Sequence, residues 1–180
     1  MRKHFKFTKT KLDGLFLIER RHIEDERGFF SRFFCEEDFK AIGLKSVINQ
    51  INHTSTKEKG SIRGLHFQHF PHEENKIVSC LKGEVFDIAV DIRRNSPTYL
   101  KWHSQLLSEE NCLSLFIPQG FAHGFQTLTD NCELIYLHTE SYHPSSEGGL
   151  NALDPTLNIS WPLEVTKMSE RDCNYSLLGN

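Results

Sequence analysis

The 180-residue sequence nowhere runs through about eighteen consecutive apolar residues, so it offers no helix able to cross a bilayer. Nor does either charge dominate. Twenty-one Lys and Arg against 24 Asp and Glu leave a formal net charge of −3, which withdraws the general electrostatic argument for a nucleic-acid binder or a membrane-surface protein. The five cysteines (Cys35, Cys80, Cys112, Cys132, Cys173) are odd in number and never spaced as C-x-x-C. That pattern argues against a disulfide framework and against a thiolate zinc site, and reduced thiols in a cytoplasm are the expectation. The basic N-terminus (Arg2, Lys3, Lys6, Lys9, Lys11) is followed by no apolar stretch of the kind a secretion signal carries. Glycine-rich phosphate loops, a G-x-S-x-G turn and a Cys/His nucleophile motif are absent as well.

What is present is the composition of a folded chain, 38% hydrophobic and 25% charged, of a length that suits one domain over residues 1–180. Fourteen phenylalanines and few helical patterns favour β structure, because aromatic side chains suit a pleated, half-buried surface. Polar and Gly/Pro/Asn punctuation predicts strands over 14–19, 29–34, 47–54, 62–68, 76–82, 84–91, 100–106, 112–117, 124–128 and 133–138. In the run from Glu84 to Asp91, Phe86, Ile88 and Val90 share one face and Val85, Asp87 and Ala89 the other, as in a strand covered on both sides. A helix is expected from Glu36 to Leu44 with Gly43 as its stop, and a second, short one from an N-cap at Ser169. Short strands without long intervening helices predict a mainly β protein, a jelly-roll (cupin-like) barrel with a few short helices. The stretch from Ser141 to Trp161 is rich in Ser, Gly, Pro and Asn and reads as a long functional flap, with Gly148-Gly149 a flexible point in it.

Among the ten histidines, His66 follows Arg63-Gly64 in a strand and His123 follows Pro118-Gln119-Gly120-Phe121-Ala122. On pattern alone each is as well read as a satisfied core or surface residue. Lys76 alternates with Val78 and Cys80, so an inward Cys80 implies an inward ammonium; the plain alternative is an edge lysine reaching solvent. Tyr136 shares a face with Leu134 and His138 and, taken singly, is a core tyrosine. Cupin-type barrels often hold a metal through His-x-His, but the nearest approach here, His66-Phe67-Gln68-His69, is one residue too long to put two ligands on one strand face. No metal is expected.

Ser61-Ile62-Arg63-Gly64-Leu65-His66-Phe67-Gln68, the run from Lys82 to Arg93, Ser96-Pro97-Thr98-Tyr99 and the run from Ile117 to Phe125 closely resemble the dTDP-4-dehydrorhamnose 3,5-epimerase family. The likeness continues through Asp154-Pro155, Ile159-Ser160-Trp161-Pro162 and Ser169-Glu170-Arg171-Asp172, and so covers nearly the whole chain. The resemblance implies a homodimeric jelly roll without metal or redox cofactor, which epimerises a nucleotide-linked 4-keto-6-deoxyhexose beside its ketone on the way to dTDP-L-rhamnose. It further implies His66 as general base, Asp172 as its orienting carboxylate, Lys76 as stabiliser of the enolate oxygen and Tyr136 as the acid on the opposite ring face. His123 and Tyr142 are implied near the sugar and its phosphate, Arg63 and Arg171 at the phosphates, Gln50 near the nucleotide, and Arg27 and Phe30 in the neighbouring subunit's site.

These residue types suit the chemistry. Removing a carbon-bound proton beside a ketone requires a base and a cation aimed at the ketone oxygen, and inversion requires an acid on the other face. Because Arg63 and His66 are three apart, a regular strand would send them to opposite faces, so a bulge at Gly64 is predicted. The chain departs from the family pattern at Arg32, where many members carry an acidic residue, and at Gly148 and Ala152, in place of an arginine and a tryptophan; these changes bear on base preference and on the shape of the sugar pocket. Alternative readings are an epimerase of C3 or C5 alone, a ketoisomerase, a carbohydrate- or nucleotide-sugar-binding barrel without turnover, and a metal-dependent oxygenase.

Overall fold

The computed structural model describes residues 4–179. One six-stranded sheet runs in the order β1 (Phe5–Lys9), β2 (Phe16–Arg20), β10 (Leu113–Ile117), β7 (Lys76–Lys82), β12 (Cys132–His138), β5 (Gln50–Thr56). A five-stranded sheet runs β13 (Glu147–Gly149), β6 (Ile62–Gln68), β11 (Phe121–Thr127), β8 (Glu84–Asp91), β9 (Trp102–Ser108). β3 (His22–Asp25) and β4 (Gly28–Ser31) form a separate hairpin. From β5 to β8 and again from β9 to β12 the chain changes sheet at each connection, and the pairings within the sheets are antiparallel, which gives the jelly roll.

Alternation decides what each sheet buries. The inner faces meet in a cluster that includes Val78 and Cys80 of β7, Val85 and Ala89 of β8, Leu115 of β10, Phe125 of β11 and Leu134 and Tyr136 of β12. Ile88 and Val90 point the other way, under Ala152, Leu157 and Trp161 of the segment after β12. The outer face of the six-stranded sheet carries Ile18, Ile77, Phe116 and Leu137 and is capped by α1 (Glu36–Phe39), whose Phe39 is fully buried. Burial of such a side chain is worth about 1.5–3 kcal/mol, and Leu44, with Phe34, Cys35, Ile42 and Ile48 packed alongside, joins Phe39 in covering that face. With both faces covered, the central strands read as nearly unbroken apolar runs.

Several expectations shift in detail. The helix predicted to Leu44 is an α-turn followed by a 3₁₀ turn over Lys40–Ile42, and it stops at Gly43 in the left-handed conformation at φ 84°. The strand predicted over 29–34 ends at Ser31, and Phe29 and Phe30 stand exposed, because aromatic residues supply strand propensity without requiring burial. β1 lies where the basic N-terminus masked an alternating Phe5-Lys6-Phe7-Thr8-Lys9 pattern. The stretch from Ser141 to Trp161 is less a flap than a cover for the five-stranded sheet, since Leu150, Ala152, Leu157, Ile159 and Trp161 all join its outer core. Gly148 and Gly149 are not a free hinge: they pair with Phe67 and His66 in β13, and a Cβ on Gly149 would meet the Tyr175 ring.

The register of β6 against β11 slips between His123 and Phe125, so that Arg63 to His66 on β6 spans one residue more than its partner segment. This bulge sits at Gly64, where φ is 130° and a Cβ would lie 2.5 Å from the Cα of Gly124. Gly64→Ala is therefore expected to lose about 1–3 kcal/mol of stability through backbone strain alone, read as a lower urea midpoint at unchanged slope.

Candidate active site

The two sheets open at one end into a cavity of about 430 Å³, which continues into a smaller one of about 270 Å³; Asn52, His66, Lys76, His138 and Arg171 line both. The strand alternation that builds the core also fills this cavity. His66 enters from β6 in one sheet, while Lys76 of β7 and Tyr136 of β12 enter from the other, continuing the faces of Val78 and Leu134. The bulge at Gly64 brings Arg63 into the same cavity.

His66 Nε2 lies 2.8 Å from Asp172 Oδ1, and Asp172 is almost fully buried while His66 keeps a quarter of its side chain exposed. Asp172 comes from α2 (Glu170–Cys173), whose N-cap Ser169 accepts from the Asp172 amide at 3.1 Å; Asp172 Oδ2 in turn accepts from the Gly64 amide at 3.3 Å. Burial works against the carboxylate, but the hydrogen bond and charge of His66, with the Gly64 amide and Ser169, outweigh it and hold the Asp172 carboxyl below its usual range. An ionised Asp172 accepts the hydrogen bond from Nε2–H, the shorter of the two contacts at that nitrogen; Arg171 Nη2, a donor only, lies 3.2 Å from the same atom and makes no hydrogen bond to it in this tautomer. Nδ1, which has no hydrogen-bond partner among the described residues, is then the nitrogen with the free lone pair.

Lys76 is buried, and its Nζ lies 3.1 Å from Glu74 Oε1 and donates to the His66 carbonyl at 3.3 Å. Glu74 Oε2 holds His138 Nδ1 at 2.8 Å. Burial pushes the Glu74 carboxyl upward, yet the hydrogen bond from His138 and the charge of Lys76 bring it below the ordinary carboxylate range. Tyr136 is buried beside His123 and His138, at ring-centroid distances of 5.9 and 6.0 Å, and desolvation drives its phenol well above the usual value. At neutral pH it is a proton donor. His123 Nε2 contacts Asp87 Oδ2 at 2.9 Å, with both side chains buried; desolvation raises the Asp87 carboxyl against the pull of His123.

At the mouth, Arg63 donates to Thr56 Oγ1 at 2.9 Å, and Arg171 Nη1 donates to both Glu147 oxygens at 2.8 and 2.9 Å while its Nη2 lies 3.2 Å from His66 Nε2. Tyr142 and Gln50 line the smaller cavity, the Tyr142 hydroxyl donating to Glu147 Oε2 at 2.9 Å. Arg27 and Phe30 lie elsewhere, on the β3–β4 hairpin, where Arg27 pairs with Asp25 and Phe30 is 57% exposed; within one chain they do not reach the cavity. Of the departures from the family pattern, Ala152 is buried in the outer core and lines neither cavity, while a Cβ on Gly148 would strike Phe67 and His69 at 2.8 Å. Among the described residues, no group of three or more His, Cys, Asp or Glu side chains is arranged to hold a metal ion.

Sequence reasoning missed Glu74, Asp87 as the partner of His123, Asn52 and Glu147. One of them carried a signal: Asp87 is a carboxylate on the inward face of an otherwise apolar strand, whereas Glu74 lies before the first residue of β7.

A sequence profile described as dTDP-4-dehydrorhamnose 3,5-epimerase matches residues 9–180. The dTDP-4-dehydrorhamnose 3,5-epimerase of Methanothermobacter thermautotrophicus is 45% identical over 97% of this chain and 95% of its own. The crystal structure of the Legionella pneumophila enzyme RmlC, a dTDP-6-deoxy-D-glucose-3,5-epimerase in complex with dTDP-4-keto-L-rhamnose, superposes with a TM-score of 0.92 at 41% identity, covering 97% of this chain and 93% of that one. ChmJ of Streptomyces bikiniensis, a 3'-monoepimerase in complex with dTDP-quinovose, gives a TM-score of 0.88 at 30% identity over 93% of this chain and 85% of its own. With a full-length profile match and relatives of this identity and coverage, the chain belongs to the dTDP-4-dehydrorhamnose 3,5-epimerase family.

Proposed function

We propose that the chain is a sugar-nucleotide epimerase acting on a dTDP-linked 4-keto-6-deoxyhexose, of the dTDP-4-dehydrorhamnose 3,5-epimerase type, as one catalytic domain working in a cytoplasm. The observation that carries this reading is the placement of a carboxylate-backed imidazole on one sheet, and of a protonated phenol with an ammonium on the other, around a single cavity. His66 Nδ1 takes the proton from the carbon beside the ketone, the C–H electron pair moves onto the carbonyl oxygen, and the resulting enolate is stabilised by the Lys76 ammonium. Tyr136 then delivers its proton to the opposite face, which the base that removed the first proton cannot reach; the imidazolium and the phenolate so formed return to imidazole and phenol by proton exchange with solvent before the next inversion. Asp172 fixes the His66 tautomer and stabilises the imidazolium.

Arg63 and Arg171 present guanidinium forks suited to the diphosphate; Gln50, His123 and Tyr142 complete the nucleotide and sugar contacts. The exposed β3–β4 hairpin, with Phe29, Phe30 and Arg27 uncovered, suits an arm that completes the site of a second copy in a homodimer. A second reading, inversion at C3 alone, is favoured by the likeness to a 3'-monoepimerase.

Incubation with dTDP-4-keto-6-deoxyglucose in heavy water, followed by NMR, separates the two readings: deuterium entering at both C3 and C5 is expected, and uptake at C3 alone demotes the double epimerase. His66→Ala should abolish exchange at both carbons, whereas Tyr136→Phe should keep exchange and lose about 10²–10⁴-fold in productive inversion. Arg27→Ala should raise KM about tenfold while light scattering still reports a dimer; a fully active monomer would remove the arm from the site. Because the fold raises the Tyr136 phenol above its unfolded value, the unfolded chain loses that proton first and stability falls as pH rises past about 10. Urea midpoints at pH 9 and 11 should accordingly drop more for the wild type than for Tyr136→Phe.

A further inference from the structure

Glu74 and His138 have no part in the mechanism above, yet Glu74 is the carboxylate paired with Lys76, and His138 is bonded to that carboxylate. The hydrogen bonds around them run in one direction, and a single backbone amide dictates it. The Tyr142 N–H can only donate, and it meets Gln50 Oε1 at 2.9 Å. The Gln50 amide nitrogen therefore donates to Asn52 Oδ1 at 3.0 Å, which leaves Asn52 Nδ2 to donate to His138 Nε2 at 3.3 Å. With Nε2 accepting, the His138 ring carries its proton on Nδ1 and gives it to Glu74 Oε2 at 2.8 Å, while Lys76 Nζ meets Glu74 Oε1 at 3.1 Å. Every donor in the chain leads to one carboxylate. Glu74 is thus held from both sides, and the side chains of Glu74, Lys76 and His138 are all about nine-tenths buried.

We propose that Glu74 is a positioning residue for Lys76, its carboxylate anchored by His138 in a relay that starts at Tyr142 and fixes the ammonium at the cavity wall. The inference rests on the reading of Lys76 as the enolate stabiliser. An ammonium on a flexible four-carbon stem has three rotatable donors and no preferred direction, so a buried lysine that must face one oxygen needs a fixed second contact. Glu74 supplies it from the approach to β7 and the His66 carbonyl supplies another from β6. Other charged or titratable groups lining the same cavities include His138 and Tyr136 on β12, Arg63 and the His66 ring on β6, His123 on β11, Arg171 and Asp172 on α2 and Glu147 on β13, with Asp87 of β8 behind His123; among the described residues, none of these side chains makes a hydrogen bond to Nζ. The relay also ties the ammonium to the segment carrying Tyr142, so that order at the mouth and order at the reacting centre are linked.

Steady-state rates and deuterium uptake on dTDP-4-keto-6-deoxyglucose, measured in single and double variants, test this. Glu74→Gln keeps size and removes the charge. It should lower kcat about 10–100-fold with KM within about twofold, and should cost nothing further when added to Lys76→Met, whose slow residual uptake is followed over long incubations. His138→Asn, which leaves Glu74 charged but cuts the relay, should cost about 3–10-fold in kcat and again nothing in the Lys76→Met background; it carries the same cycle if Glu74→Gln does not fold. Wild-type or faster turnover in Glu74→Gln, or an equal loss with and without Lys76, overturns the inference and leaves the enolate mechanism standing. Undiminished turnover in Lys76→Met overturns both.

Discussion

The 2.8 Å contact between His66 and Asp172 joins a strand to a helical turn 106 residues further along the chain, and the geometry of the cleft is organised around it. It exists because three local features coincide. The bulge at Gly64 turns the start of β6 so that its amide and the His66 ring address the same carboxylate; Ser169 caps α2 and sets the position of Asp172; the segment after β12 packs on the outer face of the five-stranded sheet and leads the chain back to the cleft. A catalytic base supported in this way cannot be assembled by β6 alone.

The electrostatics follow from the same enclosure. A jelly roll with both sheets covered gives its open end low-dielectric walls, in which an isolated charge is costly and a paired one is retained. The structure answers by pairing: Asp172 with His66, Glu74 with Lys76 and His138, Asp87 with His123. Asp172 and Glu74, each held by a histidine and by further donors, are pulled below their ordinary range, whereas Tyr136, desolvated by burial, is pushed above its own. Opposite shifts at groups sharing one cavity separate the acid from the groups that serve the base and the ammonium.

Family membership and site geometry support different statements. The comparisons establish the family across the chain's length; the cleft explains why the chemistry is carried by side chains from two sheets, since inversion at carbon requires access to both faces of a ring and opposed sheets provide two walls. The relay through Glu74 is a property of this chain's own residues and lies outside the set that the family pattern singles out.

Much of the architecture was legible in the sequence because strand alternation is a local, period-two signal. It put Val78 and Cys80 with Lys76, Leu134 with Tyr136, and Asp87 opposite Ile88, and it located the bulge at Gly64 from the three-residue interval between Arg63 and His66. Phe29 and Phe30 were harder to place, since an aromatic pair has the same strand propensity whether it faces a core or solvent. Glu74 stayed hidden until the fold set β12 against β7 and put His138 opposite Lys76, and the use of the stretch from Ser141 to Trp161 as a sheet cover had to await its docking on β6, β8 and β11. The sequence by itself determined which residues share a face and which family the motifs resemble, because both are read along the chain. Which faces meet, which charges pair, and which nitrogen of His66 is left free to take a proton were decided only in three dimensions, where groups a hundred residues apart come within hydrogen-bond distance.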